Sequence, residues 1–148
     1  MAFAWCSNLI NLVVDSENKT YDSRDKCNAI INKSTNELIV GCRSTIIPNS
    51  VIAISDGAFS CRKGLTSVTI PRSVTTIGDY AFFHCSELRN IICSAIEPPT
   101  IAHFAFEGVD HNTCKLIVPK LSINSYRYAL WWMGFVDISA IEDMDEEE

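Results

Sequence analysis

The sequence lacks any apolar run that approaches the ~20 residues a helix needs to cross a bilayer. Its longest candidate, Leu9 to Val14, is interrupted by Asn11 and followed by Asp15. The first residues also lack the basic and apolar regions of a secretory signal peptide. The sequence therefore predicts no membrane span, and it indicates that the chain either stays inside the cell or is a piece of a longer protein.

Basic residues are few, with 12 Lys and Arg against 18 Asp and Glu and a net charge of −6. Six of the acidic residues lie at 142–148, so residues 1–141 are neutral as a group. Since no basic stripe exists, a nucleic-acid partner is not expected. The acidic tail at 142–148 is expected to be a solvated end.

Patterns that carry chemistry are also missing. No C-x-x-C pair supports a zinc or thioredoxin-like site. The acidic segment from Asp15 to Asp25 lacks the glycine turn of a calcium loop. His84, His103 and His111 show no spacing that joins a cysteine and a third group into a hydrolase site. We therefore expect neither enzymatic activity nor a metal or cofactor.

What the sequence does contain is a repeat of 23 residues. Ile47–Val51, which reads I-P-N-S-V, returns as I-P-R-S-V in Ile70–Val74. The same offset relates further apolar positions, namely Ile54 and Ile77, Ala58-Phe59 and Ala81-Phe82, and Leu65 and Leu88. Partial copies flank these two units at Ala2–Leu9 and at Ala105-Phe106. This period falls within the range of about 20–29 residues typical of leucine-rich repeats.

Units this short cannot form a core alone, so they must stack side by side. We predict a right-handed leucine-rich-repeat solenoid with one short parallel strand per repeat, joined by loops and helical turns. In each strand two residues point inward, as Val68 and Ile70 do, and Pro71 ends the strand. Ala81 is expected to allow a tight turn whose arch Phe82 fills.

The pattern I-P-x-S-V-x-x-I-G-x-x-A-F-x-x-C-x-x-L, read from Ile70 to Leu88, resembles the BspA-like class of leucine-rich repeat. The resemblance extends from Ala2 to about Ile138. It implies a bacterial cell-surface or secreted protein, often an adhesin that binds host or matrix proteins. Many members of this class have no assigned ligand.

One domain is expected over residues 1–141. It comprises a partial repeat at 2–14, an irregular unit at 15–42, repeats at 43–119 and a cap at 120–141. In the irregular unit, Cys27–Ile31 and Leu38–Val40 flank a turn cluster at Asn32–Asn36, which predicts a β-hairpin.

The C-terminal cap is expected to be a helix over 122–135, followed by a closing strand at Val136–Ile141. Ser122 is the candidate N-cap, and Gly134 stands where the helix would stop. Helical spacing places four residues on one face, namely Tyr126, Ala129, Leu130 and Met133.

The N-terminal unit has no comparable cap, because the sequence begins in the middle of a repeat at Ala2-Phe3. Phe3, Trp5 and Leu9 are therefore expected to be partly exposed, with a free strand edge at Leu12–Val14. Weak self-association through residues 2–14 follows as an expectation, unless the hairpin covers this end.

The seven cysteines are expected to be free thiols in core positions of the repeat, where cysteine acts as a small apolar residue. Cys6 and Cys85 share one repeat position, and Cys93 stands where Ile70 stood. Disulfides are the alternative. The complete set is Cys6, Cys27, Cys42, Cys61, Cys85, Cys93 and Cys114.

A candidate binding face comes from the outward residues of the predicted strands. One row is mostly apolar and consists of Val13, Ile46, Thr69, Ile92 and Ile117. The neighbouring row is polar and consists of Asn11, Ser44, Ser67, Asn90 and Lys115. Simple β-propensity also accounts for the apolar row, and the hairpin could fold over it.

The predicted function is a non-enzymatic module that binds a protein or a glycan as part of an adhesin-like surface protein. The alternative is a structural spacer or assembly repeat of a larger surface protein, with no ligand of its own.

Overall fold

Each central repeat forms two short strands in the computed structural model, which describes Phe3 and residues 5–142. The shorter strand of each repeat, which comes first in the chain, is β4 (Ala53–Ile54), β6 (Thr76–Ile77) or β8 (Thr100–Ile101). The longer strand that follows it is β5 (Ser67–Ile70), β7 (Asn90–Cys93) or β9 (Lys115–Val118). The predicted parallel solenoid is confirmed, but the expectation of one strand per repeat is wrong. A two-residue strand is too short to show alternation of apolar and polar residues, so the sequence pattern did not indicate the shorter strands.

The strands build two sheets. The repeat sheet has the order β10-β9-β7-β5, with all neighbours parallel, and β10 is Ile138–Ala140. The hairpin sheet adds three N-terminal strands, β1 (Tyr21–Asp22), β2 (Ala29–Asn32) and β3 (Glu37–Gly41), and has the order β1-β2-β3-β4-β6-β8. The right-handed sense of the winding stays a prediction.

The predicted hairpin is confirmed as β2 (Ala29–Asn32) and β3 (Glu37–Gly41), which pair antiparallel. β1 (Tyr21–Asp22) adds to β2, and a 3-10 turn at Arg24–Lys26 joins the two. β3 pairs parallel with β4, so the hairpin extends the sheet formed by the two-residue strands. It therefore does not lie over the repeat sheet.

The core is one continuous column of inward side chains. Val68 and Ile70 are buried, as the repeat predicts. Phe59, Phe82 and Phe106 stack with ring centroids 5.0 and 5.2 Å apart and nearly parallel planes. The predicted role of the aromatic residue in the arch is therefore confirmed, since successive repeats place the same ring on top of its neighbour.

The C-terminal cap departs from the predicted helix. A 3-10 turn, Lys120–Ser122, leads into α1, which covers only Ile123–Arg127. Ser122 precedes α1, but its side chain makes no capping hydrogen bond. The expected helix over 122–135 is therefore wrong beyond Arg127, and irregular turns follow.

The apolar face of the cap is also different from the expected one. Leu130 and Met133 are 69% and 60% exposed, whereas Trp132 and Phe135 are buried. The indole N–H of Trp132 donates to the carbonyl oxygen of Pro99 at 2.8 Å, and its ring lies 5.5 Å from that of Phe106. These contacts close the column of rings, because turns after α1 direct Trp132 inward. The closing strand is confirmed as β10.

Candidate binding face and groove

Six of the ten residues proposed for the binding face lie together on the repeat sheet. Strand register aligns Ser67 with Asn90 and Asn90 with Lys115, and it aligns the mostly apolar row in the same way. That row consists of Thr69, Ile92 and Ile117, and Ser139 of β10 continues it beside Ile117. Ser139 lies outside the repeat, so the repeat register could not indicate it.

The face is partly accessible. Ser67, Thr69 and Lys115 are exposed, whereas Ile92 and Ile117 are half-buried. The arrangement is a flat array in which hydrogen-bonding side chains run parallel to branched ones. Such an array can contact another protein over several strands at once.

The other four proposed residues do not reach this sheet. Asn11, Val13, Ser44 and Ile46 lie in segments without strand pairing. Val13 and Ile46 are nevertheless 80% and 78% exposed. The expectation that these four stand on strands is wrong, while their part in binding stays a prediction.

Hydrogen bonds explain why the segment around Ser44 leaves the sheet. The N–H of Ile46 donates to the carbonyl oxygen of Cys27 at 3.0 Å. The Thr45 hydroxyl donates to the carbonyl of Asn28, and the Ser44 hydroxyl donates to that of Ile10. The segment is thus held by the hairpin base and the N-terminal segment, and it does not pair with β5.

A groove of about 1060 Å³ lies between this segment and β5. Its one charged lining residue is Arg72, and the hydroxyl oxygen of Ser73 is buried there without a hydrogen-bond partner among the described residues. The remaining lining residues are Thr45, Ile46, Ile47, Asn49, Ser67, Val68, Thr69, Pro71 and Ser94. The repeat register could not reveal this groove, because it predicted a paired strand in its place.

The edge of β5 that faces the groove is open. The N–H groups of Asn90 and Ser94 donate to the carbonyls of Thr66 and Ile70, so residues 66 and 70 turn their carbonyls toward β7. Alternation along a strand then directs the backbone groups of Ser67 and Thr69 away from β7. Within the described part of the chain, no backbone partner meets the N–H groups of these two residues.

A second cavity, of about 480 Å³, lies between the last repeat and the cap. Phe104, Trp131 and Met133 line it, and all three are partly solvent-exposed. The sequence assigned Met133 to a buried helix face, so it could not indicate this cavity. The lining is mainly apolar and provides no converging set of polar groups.

The cysteines are free thiols, as the repeat register predicts, and six of the seven are buried. Cys6 is the exception and is exposed, so its expected core position is wrong. Burial raises the pKa of Cys85 to about 12 and that of Cys114 to about 11. A buried thiol that holds its proton this firmly is a poor nucleophile.

The histidines make separate local contacts. His84 stacks on Phe83, His103 packs against Trp131, and the Nδ1 of His111 lies 2.9 Å from the carbonyl oxygen of Val109. Among the residues that the structure describes, no group of three or more His, Cys, Asp or Glu side chains is placed to hold a metal ion. In the same part of the chain, no helix has the length and apolar character to cross a membrane.

Parallel two-strand repeats, an aromatic column and a terminal cap define a repeat solenoid. A family model for the BspA-type leucine-rich repeat region matches residues 30–130 with six copies. The chain belongs to this family. No match was found among curated proteins.

Proposed function

We propose that this chain is a non-enzymatic, protein-binding module of a cell-surface or secreted protein, and that the outer face of the repeat sheet makes the contact. The observation that carries the proposal is the register of the two rows across β5, β7 and β9. Half of this face offers hydroxyl, amide and ammonium groups, and the other half offers branched side chains. Hydrogen-bonding and apolar groups side by side can both contribute to a contact with another protein.

A protein partner is favoured over a glycan by the composition of the face. Neither row contains an aromatic ring within β5, β7 and β9, and sugar rings are commonly held by stacking on such rings. The non-enzymatic character is supported by the fold, since leucine-rich-repeat solenoids are typically binding scaffolds. The surface location rests on family membership.

The test is binding to a panel of purified matrix proteins, such as collagen, fibronectin and laminin, by biolayer interferometry. An Ile92→Glu variant introduces a charge at the centre of the face and is expected to weaken binding at least tenfold. Thr76→Glu, at an exposed position of β6 on the other sheet, is the matched control. A spacer without a ligand predicts no binding to any panel member, and equal effects of both variants contradict the proposed face.

A further inference from the structure

The groove beside β5 interrupts an otherwise regular ladder of strands. β7 and β9 each have a paired neighbour on both sides, whereas β5 is paired only with β7. Residues 42–47 stand where the repeat would place a strand next to β5. Instead, Ile46 and Thr45 donate hydrogen bonds to the carbonyl oxygens of Cys27 and Asn28 in the hairpin base. The groove is therefore fixed by contacts that do not involve β5.

The polar groups that face the groove fit one kind of ligand. Ser67 and Thr69 both offer an N–H and a carbonyl from alternate positions of one strand edge, a pattern that only another extended backbone can match fully. Ser73 also lines the groove, although its unpartnered hydroxyl oxygen is buried beneath the surface. Unpaired polar groups that converge in a groove gain most when a ligand supplies the missing hydrogen bonds.

Charge adds a requirement for the ligand. Arg72 is exposed and is the one charged residue of the groove lining, next to Pro71 at the end of β5. A carboxylate on the ligand can reach this guanidinium while the ligand backbone pairs with β5. Acidic side chains are thus favoured near the Ile70–Pro71 end of the groove.

From these observations we propose that the edge of β5 is a strand-addition site for an extended, acidic segment of a partner protein. The inference rests on the proposed binding function and names the form of its partner. Main-chain hydrogen bonds to Ser67 and Thr69 supply the attachment, and Arg72 selects acidic side chains.

The test starts from a displayed library of random linear 12-residue peptides, selected on the complete chain. Enriched peptides are expected to carry acidic residues. When they bind, the amides of Ser67 and Thr69 are expected to exchange hydrogen at least tenfold more slowly, a readout that needs no variant. Failure to enrich any peptide, or peptides that leave these two amides unchanged, would overturn the proposal.

Two variants at one position separate the backbone from the side chain. Thr69→Pro removes the N–H that faces the groove, at an edge where proline is tolerated, and is expected to weaken peptide binding at least tenfold. Thr69→Val keeps that N–H and the side-chain shape, so binding should change less than twofold. Peptides that bind both variants equally contradict strand addition, and amide exchange of the repeat sheet checks that Thr69→Pro is folded.

Two further outcomes have distinct meanings. In the first, the amides of Ser67 and Thr69 exchange more slowly as the protein concentration rises without peptide, and this protection is lost when the chain ends at Ile141. That result would assign the groove to the acidic tail of a second copy and overturn the proposal. In the second, Ile92→Glu abolishes binding to a matrix protein but Thr69→Pro does not. That result would also overturn strand addition, while it would support the proposed binding face.

Discussion

Arg62 donates from Nε to the carbonyl oxygen of Gly41 at 2.8 Å, with its side chain almost entirely buried. The same guanidinium donates to the carbonyls of Ser60 and Phe3 at 3.2 Å. No carboxylate neutralises it among its hydrogen-bond partners in the described residues. Arg62 thus joins the hairpin sheet, the arch of its own repeat and the N-terminal segment through backbone oxygens.

Arg62→Met should destabilise the fold by about 2 kcal/mol or more, because it keeps the apolar volume but leaves buried carbonyls without donors. Urea unfolding measures this change in the free energy of unfolding. Arg72→Met is the control, since its side chain is exposed and its loss should change stability by less than about 0.5 kcal/mol. Equal unfolding midpoints for the two variants would show that the Arg62 hydrogen bonds contribute nothing net.

Phe82→Ala should cost about 3–5 kcal/mol, because Phe82 is fully buried between the rings of Phe59 and Phe106. Phe104 offers a matched control, as it is two residues before Phe106 and half-exposed. Phe104→Ala should cost much less, since most of its contacts are at the surface. Thermal unfolding of the two variants compares them directly, and similar losses would contradict the idea that the ring column holds the repeats together.

Stability should fall at alkaline pH because of the buried thiols. The pKa of Cys85 is raised from 9.0 to about 12, so the unfolded chain releases this proton near pH 9 while the folded chain retains it. The contribution is complete below pH 9 and is lost as the pH rises toward 12, by about 1.4 kcal/mol per pH unit for this group. Urea unfolding at pH 7.5, 9.5 and 10.5 under reducing conditions measures the slope.

Cys85→Ala isolates the thiol from the other groups that titrate in this range. The variant should be less stable than the native chain at pH 7.5, and the difference should shrink by pH 10.5. Parallel profiles for the two proteins would assign the alkaline loss to other residues, such as Cys114, whose pKa is raised in the same direction.

Weak self-association through residues 2–14 stays a prediction, motivated by two exposed side chains. Trp5 and Val13 are largely solvent-exposed, and apolar surface left in water costs about 25 cal/mol per Å² relative to burial. Light scattering across a concentration series should show a rising mean mass that the double variant Trp5→Ser, Val13→Lys abolishes.

The exposed cap supplies the control for that series. Leu121→Ser with Leu130→Lys removes comparable apolar surface at the other end of the solenoid. This variant should associate like the native chain. Loss of association in the cap variant, or a constant monomer mass for the native chain, would contradict an N-terminal contact.

The repeat register was sufficient to predict which residues are buried in the central units. Four of the predicted core residues are buried, namely Val68, Ile70, Ala81 and Phe82. Each repeat contacts chiefly its neighbours, so the same short pattern buries the same positions in every central unit. The hairpin was predictable for a similar reason, since its strands and turn lie close together in the sequence. Three of the five positions in each proposed row lie together on the repeat sheet, because residues 23 to 25 apart in the chain are paired across β5, β7 and β9.

Tertiary structure alone decided the features that depend on distant partners. Residues 44–46 carry a strand-like pattern, yet hydrogen bonds to Cys27, Asn28 and Ile10 draw them off the sheet and open the groove beside β5. α1 ends at Arg127 despite a helical pattern, because Trp132 gains a buried position on Phe106. In both places a local preference worth a fraction of a kcal/mol per residue was outweighed by hydrogen bonding and burial between segments far apart in the chain.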